Sequence, residues 1–516
     1  MRQNASKMST VLTLNANIHS AAGCTQAAWF LGVAFLLLTS CAGLRPASSL
    51  DHLKPCASSE GPSDAYCGSL EVWENRTTKA GRKIRLKIVV LPALKQDYAR
   101  DPVFFLAGGP GQGAAELAEA IQEPYRRIQS SRDIVLVDQR GTGKSNPLEC
   151  KPPKDAEEDS NEDPMPAMLQ RLRGCLASYQ GKADVRQYTT PIAMDDLDEV
   201  RQYLGYSRIN LYGGSYGTRA AIVYVRRHRE STRAVIIDGV APPDILLPLY
   251  MARDSQRALG LLFRDCEKDV ACAHRFPHLQ DRFQALIDRL TAHPEHVRYV
   301  DPRSGEEKDL DAKRLTVTGS VFAALYSPLT SSLLPLLIEQ AEKGNFTGFL
   351  ALGAAFDPTA ASIAQGMHFS VVCSEDATGI PAGAVAKEAA NTFLGTEFTE
   401  DRLKPCEFWP KGSIDAAYFD NTPSDVPALI LSGELDPVTP PVWGQQIAAV
   451  WKNSRHIVVP HTGHGTWASG CVLKLMSQFL NEGSAANLDA SCVNRIERPP
   501  FFLGPAGPDP MTGASK

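Results

Sequence analysis

One serine, set between glycines where a strand turns into a helix, restricts this chain more than any other feature. Gly213-Gly214-Ser215-Tyr216-Gly217 follows the β-branched and aromatic run Ile209 to Tyr212 and opens Tyr216 to Arg227, a stretch that is apolar nearly all round. A bare G-x-S-x-G recurs by chance as a structural turn. Between a strand and a buried helix it is a nucleophile elbow, which lifts a serine hydroxyl clear of the sheet. The glycines are required because the turn is tight and neighbouring strands leave no room for Cβ atoms.

A serine hydroxyl is a poor nucleophile until a base takes its proton, and the base needs an acid to fix its tautomer. In a hydrolase built on a parallel sheet these partners follow late strands, in chain order Ser, Asp, His. Asp436 comes just past the run Ala428 to Leu431, and His464 just past His456 to Val459. Each has a rival close by, Glu434 and His461. Pro437 after Asp436, and Gly463 and Gly465 around His464, favour the later member of each pair; His461 reads better as a solvent-facing strand-end residue. An oxyanion also needs donors. Ala107-Gly108-Gly109-Pro110-Gly111 follows the early run Val103 to Leu106, and a loop without side chains lets backbone N–H groups approach a carbonyl oxygen. The N–H groups of Gly109 and Tyr216 are the expected donors. Arg140 to Ser145 mimics a phosphate-binding loop but has Asp138 where its first glycine belongs, and there is no H-E-x-x-H, so no metal and no cofactor is expected.

The rest of the chain alternates short apolar runs with helical stretches. Ile84 to Leu91, Val103 to Leu106, Ile134 to Val137, Ile209 to Tyr212, Ala234 to Ile237, Ala428 to Leu431 and His456 to Val459 read as strands. Ala193, Leu197, Val200 and Leu204 mark an amphipathic helix between them. This rhythm predicts an α/β fold with a mostly parallel sheet covered on both faces. It breaks at 242–423, which reads as a mainly helical cap inserted over the strand ends, and at Pro152 to Pro166, which reads as an acidic loop. The expected division is a leader at 1–40, a Pro/Ser/Gly-rich tether at 41–68, core at 69–241, cap at 242–423 and core again at 424–516.

Ala27 to Leu38 is a 12-residue apolar block behind Arg2 and Lys7, too short to span a bilayer but suited to a signal peptide. It ends in Leu38-Thr39-Ser40-Cys41, a lipobox-like tetrad that predicts lipidation of Cys41 and a place in the bacterial cell envelope, at the periplasm or surface; an ordinary signal peptide would instead make the protein secreted. Of 12 cysteines, ten lie beyond the leader and Cys41. An even set in an exported chain predicts disulfides, most simply between neighbours: Cys56–Cys67, Cys150–Cys175, Cys266–Cys272, Cys373–Cys406 and Cys471–Cys492. With 53 Lys plus Arg against 58 Asp plus Glu the chain has no basic excess, which argues against nucleic acid as a partner.

Together, AGGPG at 107–111, VDQRGTGKS at 137–145, GGSYG at 213–217, GELDPVTP at 433–440 and GHG at 463–465 resemble the α/β-hydrolase serine peptidases that include prolyl aminopeptidase and the secreted tripeptidyl aminopeptidases. The resemblance spans residues 80–480. Ala107 stands where prolyl aminopeptidases usually carry His, and Tyr216 where they tend to have Trp; both lean toward the tripeptidyl-like branch. The resemblance implies the α/β-hydrolase fold, peptide substrates, and removal of residues from free N-termini. It also implies a carboxylate for the substrate ammonium within Ser370 to Asp376, with Glu375 the first candidate and Asp376 the second. The alternatives are a carboxylesterase with the same triad, or a binding protein that keeps the fold without the chemistry.

Overall fold

The computed structural model describes residues 50–508 apart from 96, 98, 100, 151–163, 302–303 and 356–362. The apolar runs become strands. In chain order these are β1 (Lys54–Pro55), β2 (Tyr66–Trp73), β3 (Lys83–Leu91), β4 (Val103–Leu106), β5 (Ile134–Val137), β6 (Ile209–Gly214), β7 (Thr232–Asp238), β8 (Glu295–Val300), β9 (Glu307–Ala312), β10 (Ala428–Gly433) and β11 (Ser454–Val459). Nine of them form one sheet in the order β1-β2-β3-β5-β4-β6-β7-β10-β11. Pairing is parallel from β5 through to β11 and antiparallel across β1, β2, β3 and β5.

β4 and β5 are buried at every residue, as parallel strands covered on both faces must be. Successive residues go to opposite cores: Phe104 packs with Leu86, Val135 and Ala221 on one face, Phe105 with Leu136, Ile236 and Phe479 on the other. The helix Tyr216–Arg227 covers the first face and Val472–Glu482 the second. A further apolar cluster lies wholly outside the sheet, with Leu259, Phe263, Phe283, Val321 and Leu337 at its centre. It belongs to the segment between β7 and β10, whose helices include Met251–Lys268, Leu279–Ala292 and Arg314–Ala324. That segment also carries the antiparallel hairpin β8–β9, which the sequence reading did not anticipate.

Residues 54–68 were expected within the tether, and here the structure corrects the expectation. β2 pairs along its whole length with β3, from Tyr66 opposite Val90 to Trp73 opposite Lys83, and β1 adds at the edge. Composition misled because the Pro, Ser and Gly residues cluster in the turn closed by the Cys56–Cys67 disulfide, whereas the strand itself follows that turn. The leader, Cys41 and residues 151–163 of the acidic loop lie outside the described residues; Pro164, placed in that loop, instead begins a helix running to Ser178. The five neighbour pairings of cysteine are all present. No helix among the described residues is long and apolar enough to cross a membrane.

Candidate active site

Ser215 sits at the end of β6 with φ 55° and ψ −125°, a region that a residue with a Cβ enters only under constraint. The constraint is local packing. A Cβ on Gly213 would lie 2.3 Å from the Gly217 carbonyl oxygen, and one on Gly217 would lie 2.2 Å from that of Leu106 in β4. The Ser215 N–H donates to the Asp238 carbonyl at 2.9 Å, which ties the elbow to the end of β7.

Asp436 follows β10 and is fully buried. Its Oδ1 accepts from the N–H groups of Val438 (2.9 Å) and Thr439 (2.8 Å), and its Oδ2 accepts from the Thr439 hydroxyl (2.7 Å) and from Nδ1 of His464 (2.8 Å). Burial alone would raise this carboxyl. The His464 charge and hydrogen bond, with the two N–H groups, overturn that and hold it below the ordinary carboxylate range. His464 shows the converse: burial opposes its cation, but the Asp436 charge and hydrogen bond, helped by Asp238, raise it above the usual imidazole value. Its ring packs on Gly239, where an added Cβ would come within 3.3 Å of the imidazole Cε1. Gly239 directly follows Asp238, the residue bonded to the Ser215 N–H. The imidazole therefore stands over the end of β7, between the elbow on β6 and Asp436 on β10.

The Glu434 carboxylate accepts the His461 backbone N–H at 3.0 Å, and His461 is half-buried rather than solvent-facing. Two residues that sequence reasoning missed complete the surroundings. Thr439 bonds Asp436 and also lies 3.1 Å from His464 Nδ1. Asp238 accepts from Thr466 N–H (2.9 Å) and Trp467 N–H (3.0 Å), fastening the loop that carries His464, and burial pushes its carboxyl up to about 6. An acid ending the apolar run Ala234 to Ile237 was the signal for it.

The glycine loop lies against Ser215: a Cβ on Gly108 would be 3.3 Å from the Ser215 Cβ. The Gly108 N–H donates to Gln112 Oε1 at 3.3 Å. Residues of the segment between β7 and β10 buttress this loop. Ala364 N–H donates to the Gly111 carbonyl at 3.0 Å, and His368 Nδ1 lies 3.1 Å from the Pro110 carbonyl.

Glu375 and Asp376 call for a correction. Neither is accessible to a ligand; both are fully buried with partners in place. Asp376 receives both Arg219 nitrogens (2.8 and 3.0 Å) and the Leu247 N–H (2.8 Å). Glu375 accepts from Thr190 N–H (2.5 Å), the Thr190 hydroxyl (2.8 Å) and the Tyr418 hydroxyl. The same Thr190 oxygen takes the Tyr216 hydroxyl at 2.6 Å. Arg219 pairs with Asp376 at 2.8 Å and lies 3.7 Å from Glu375, and burial raises both carboxyls above the ordinary range. They brace the elbow helix from beneath.

A serine stands on a strained strand–helix turn after β6, and an acid after β10 meets a histidine after β11, all on a largely parallel sheet. The family described as alpha/beta hydrolase fold matches residues 101–279, and that described as TAP-like protein matches 391–492. The chain has the α/β-hydrolase fold. Among relatives, this hydrolase is 25% identical to the protein named serine protease Hip1 of Mycobacterium tuberculosis, over 85% of this chain and 90% of the other. It is 25% identical to tripeptidyl aminopeptidase of Streptomyces lividans over 44% of this chain and 45% of the other. To proline iminopeptidase of Xylella fastidiosa it is 26% identical, over 37% and 44%.

Proposed function

We propose that this hydrolase is an exported serine exopeptidase that cleaves amide bonds near the free N-terminus of peptides through an acyl-enzyme on Ser215. The observation that carries the reading is the Asp436–His464 hydrogen bond of 2.8 Å, with the imidazole set over Gly239 beside the elbow. In this reading Nε2 of His464 takes the Ser215 proton as the hydroxyl attacks the scissile carbonyl, and Asp436 stabilises the resulting imidazolium. The N–H groups of Gly109 and Tyr216 receive the oxyanion. The imidazolium then protonates the departing amine, and a water deprotonated by His464 releases the acyl group. Relatives named as peptidases support the substrate class, and the leader with its cysteine at position 41 supports export and lipid anchoring. The 242–423 segment acts as the cap that limits which chain ends enter.

The test pairs a fluorophosphonate probe with peptide amides whose N-termini are free or acetylated. Ser215→Ala is expected to lose labelling and about 10⁶ in kcat, and the wild type to favour free amines. Near-normal turnover by Ser215→Ala would remove the nucleophile. Ester cleavage without peptide cleavage would replace the peptidase by a carboxylesterase.

A further inference from the structure

A row of aromatic rings leads from His464 of the candidate triad to a cation of the cap. Arg402 lies in the helix Glu397–Leu403, its guanidinium 3.4 Å over the Phe398 ring and 5.9 Å from the centre of Phe322. Phe322 meets Tyr326 edge-on at 5.5 Å, and Tyr326 meets the His464 ring edge-on at 5.2 Å while its carbonyl accepts the His464 N–H. A continuous row of ring contacts thus links this cation to the imidazole. Its charge also acts on His368, whose Nδ1 meets the Pro110 carbonyl of the glycine loop. Arg402 therefore stands between the segment beside His464 and the segment that buttresses the loop.

Two further observations bear on its role. Its side chain is exposed to solvent. Its hydrogen bond goes to the Phe398 carbonyl at 2.9 Å, and among the described residues no carboxylate lies within ion-pair distance. Neighbouring Asp401 pairs with Lys404 at 2.7 Å. Arg132, Arg140 and Arg219, all buried, each have an acid: Asp101, Asp196 and Asp376. Stacking on Phe398 occupies the face of the guanidinium, whereas its N–H donors lie in the plane, in the fork that matches a carboxylate.

We propose that Arg402 is the carboxylate receptor of the substrate cleft, binding either an acidic side chain beside the scissile bond or the terminal carboxylate of a short peptide. This rests on the reading of Ser215 as a peptidase nucleophile. The receptor would make a substrate anion, rather than an apolar side chain, the group that selects among chain ends.

The test compares matched pairs in wild type, Arg402→Gln and Arg402→Lys. One pair is a peptide anilide with Glu or Gln beside the scissile bond; a second is a short peptide as free acid or C-terminal amide; a third is an aryl glutarate ester with its far carboxyl free or methylated. Wild type is expected to favour the carboxylate form by roughly ten- to hundredfold in kcat/KM, the scale of a charge-assisted hydrogen bond. The peptide pair that shows the preference identifies its source. In Arg402→Gln the ratio is expected to fall to near one. In Arg402→Lys, which keeps the charge but loses the fork, it is expected to fall part-way, and this variant decides the matter if the Gln variant does not fold. A ratio near one in wild type, or one unchanged by the substitutions, overturns the proposal. Esters cleaved while all peptides stay intact would overturn the peptidase reading alone, with the ester pair still judging Arg402; no turnover of any pair would overturn both.

Discussion

At His464 burial and charge pull in opposite directions, and charge wins, which gives the site a definite pH response. A general base works only when neutral, and its pKa lies above the usual imidazole value. The acidic limb of kcat/KM is therefore expected above pH 6.5, with activity rising as pH rises through it. Asp436→Asn removes the carboxylate that raises the imidazole, so the limb is expected to move to lower pH while kcat falls by about 10⁴. A pH–rate profile of both proteins checks this; an unmoved limb would mean that the titrating group is not His464. The positions of Ser215, Asp436 and His464 after β6, β10 and β11 were legible because the pattern of each strand is plain. Glu375 was not legible in the same way. Its partners Thr190 and Tyr418, and the Arg219 beside it, are distant in the chain, and no local spacing says whether a buried acid faces a cleft or a counter-charge.

At the scale of elements, the elbow depends on how closely β4, β6 and the helix Tyr216–Arg227 approach. Gly217→Ala would drive a methyl group to 2.2 Å from the Leu106 carbonyl, a backbone atom that cannot step aside without moving the strand that carries the glycine loop. A loss of at least about 3 kcal/mol is expected from such overpacking, together with most activity. Gly174, within Pro164–Ser178, has nothing within 4 Å of where its Cβ would be. There Ala is expected to add up to about 1 kcal/mol through helix propensity. Denaturant titrations of the two variants separate packing from propensity; equal effects would contradict the close approach. The parallel strands were readable because burial on both faces makes them continuous apolar runs. β8 and β9 escaped because they carry many charges and bury little: Glu295, Arg298, Glu307, Lys308 and Asp309 lie in them, and β8 has no fully buried residue. β2 escaped because the turn before it has the composition of a linker.

Across the whole molecule, covalent and non-covalent ties divide the work. Each of the five disulfides closes a loop within the sheet-bearing parts or within the 242–423 segment, and none joins the two. The joint is made by polar contacts (Arg219 with Asp376, Thr190 with Glu375, the His464 N–H with the Tyr326 carbonyl, and His368 with the Pro110 carbonyl) and by an apolar cluster in which Leu148, Tyr188 and Tyr216 pack with Met367, Val372 and Trp409. The disulfides should therefore differ in their effect on function as well as on stability. Loop-closure entropy grows with the logarithm of loop length, so the 33-residue separation of Cys373 and Cys406 outweighs the 6-residue separation of Cys266 and Cys272 by about 1.5 kcal/mol. Cys373 also lies two residues before Glu375, whose contact with Thr190 leads to Tyr216 behind the nucleophile. Replacing Cys373 and Cys406 together by Ser is expected to lower stability by about 3–4 kcal/mol and to lower kcat, since the Thr190–Tyr216 link loses its anchor. Replacing Cys266 and Cys272 is expected to cost about 2 kcal/mol and to leave kcat near that of wild type, because that loop sits in the cap's own apolar cluster. Chemical unfolding and initial rates of the two double variants decide it, and equal kcat values would show that the network beneath the elbow does not depend on the bond beside it.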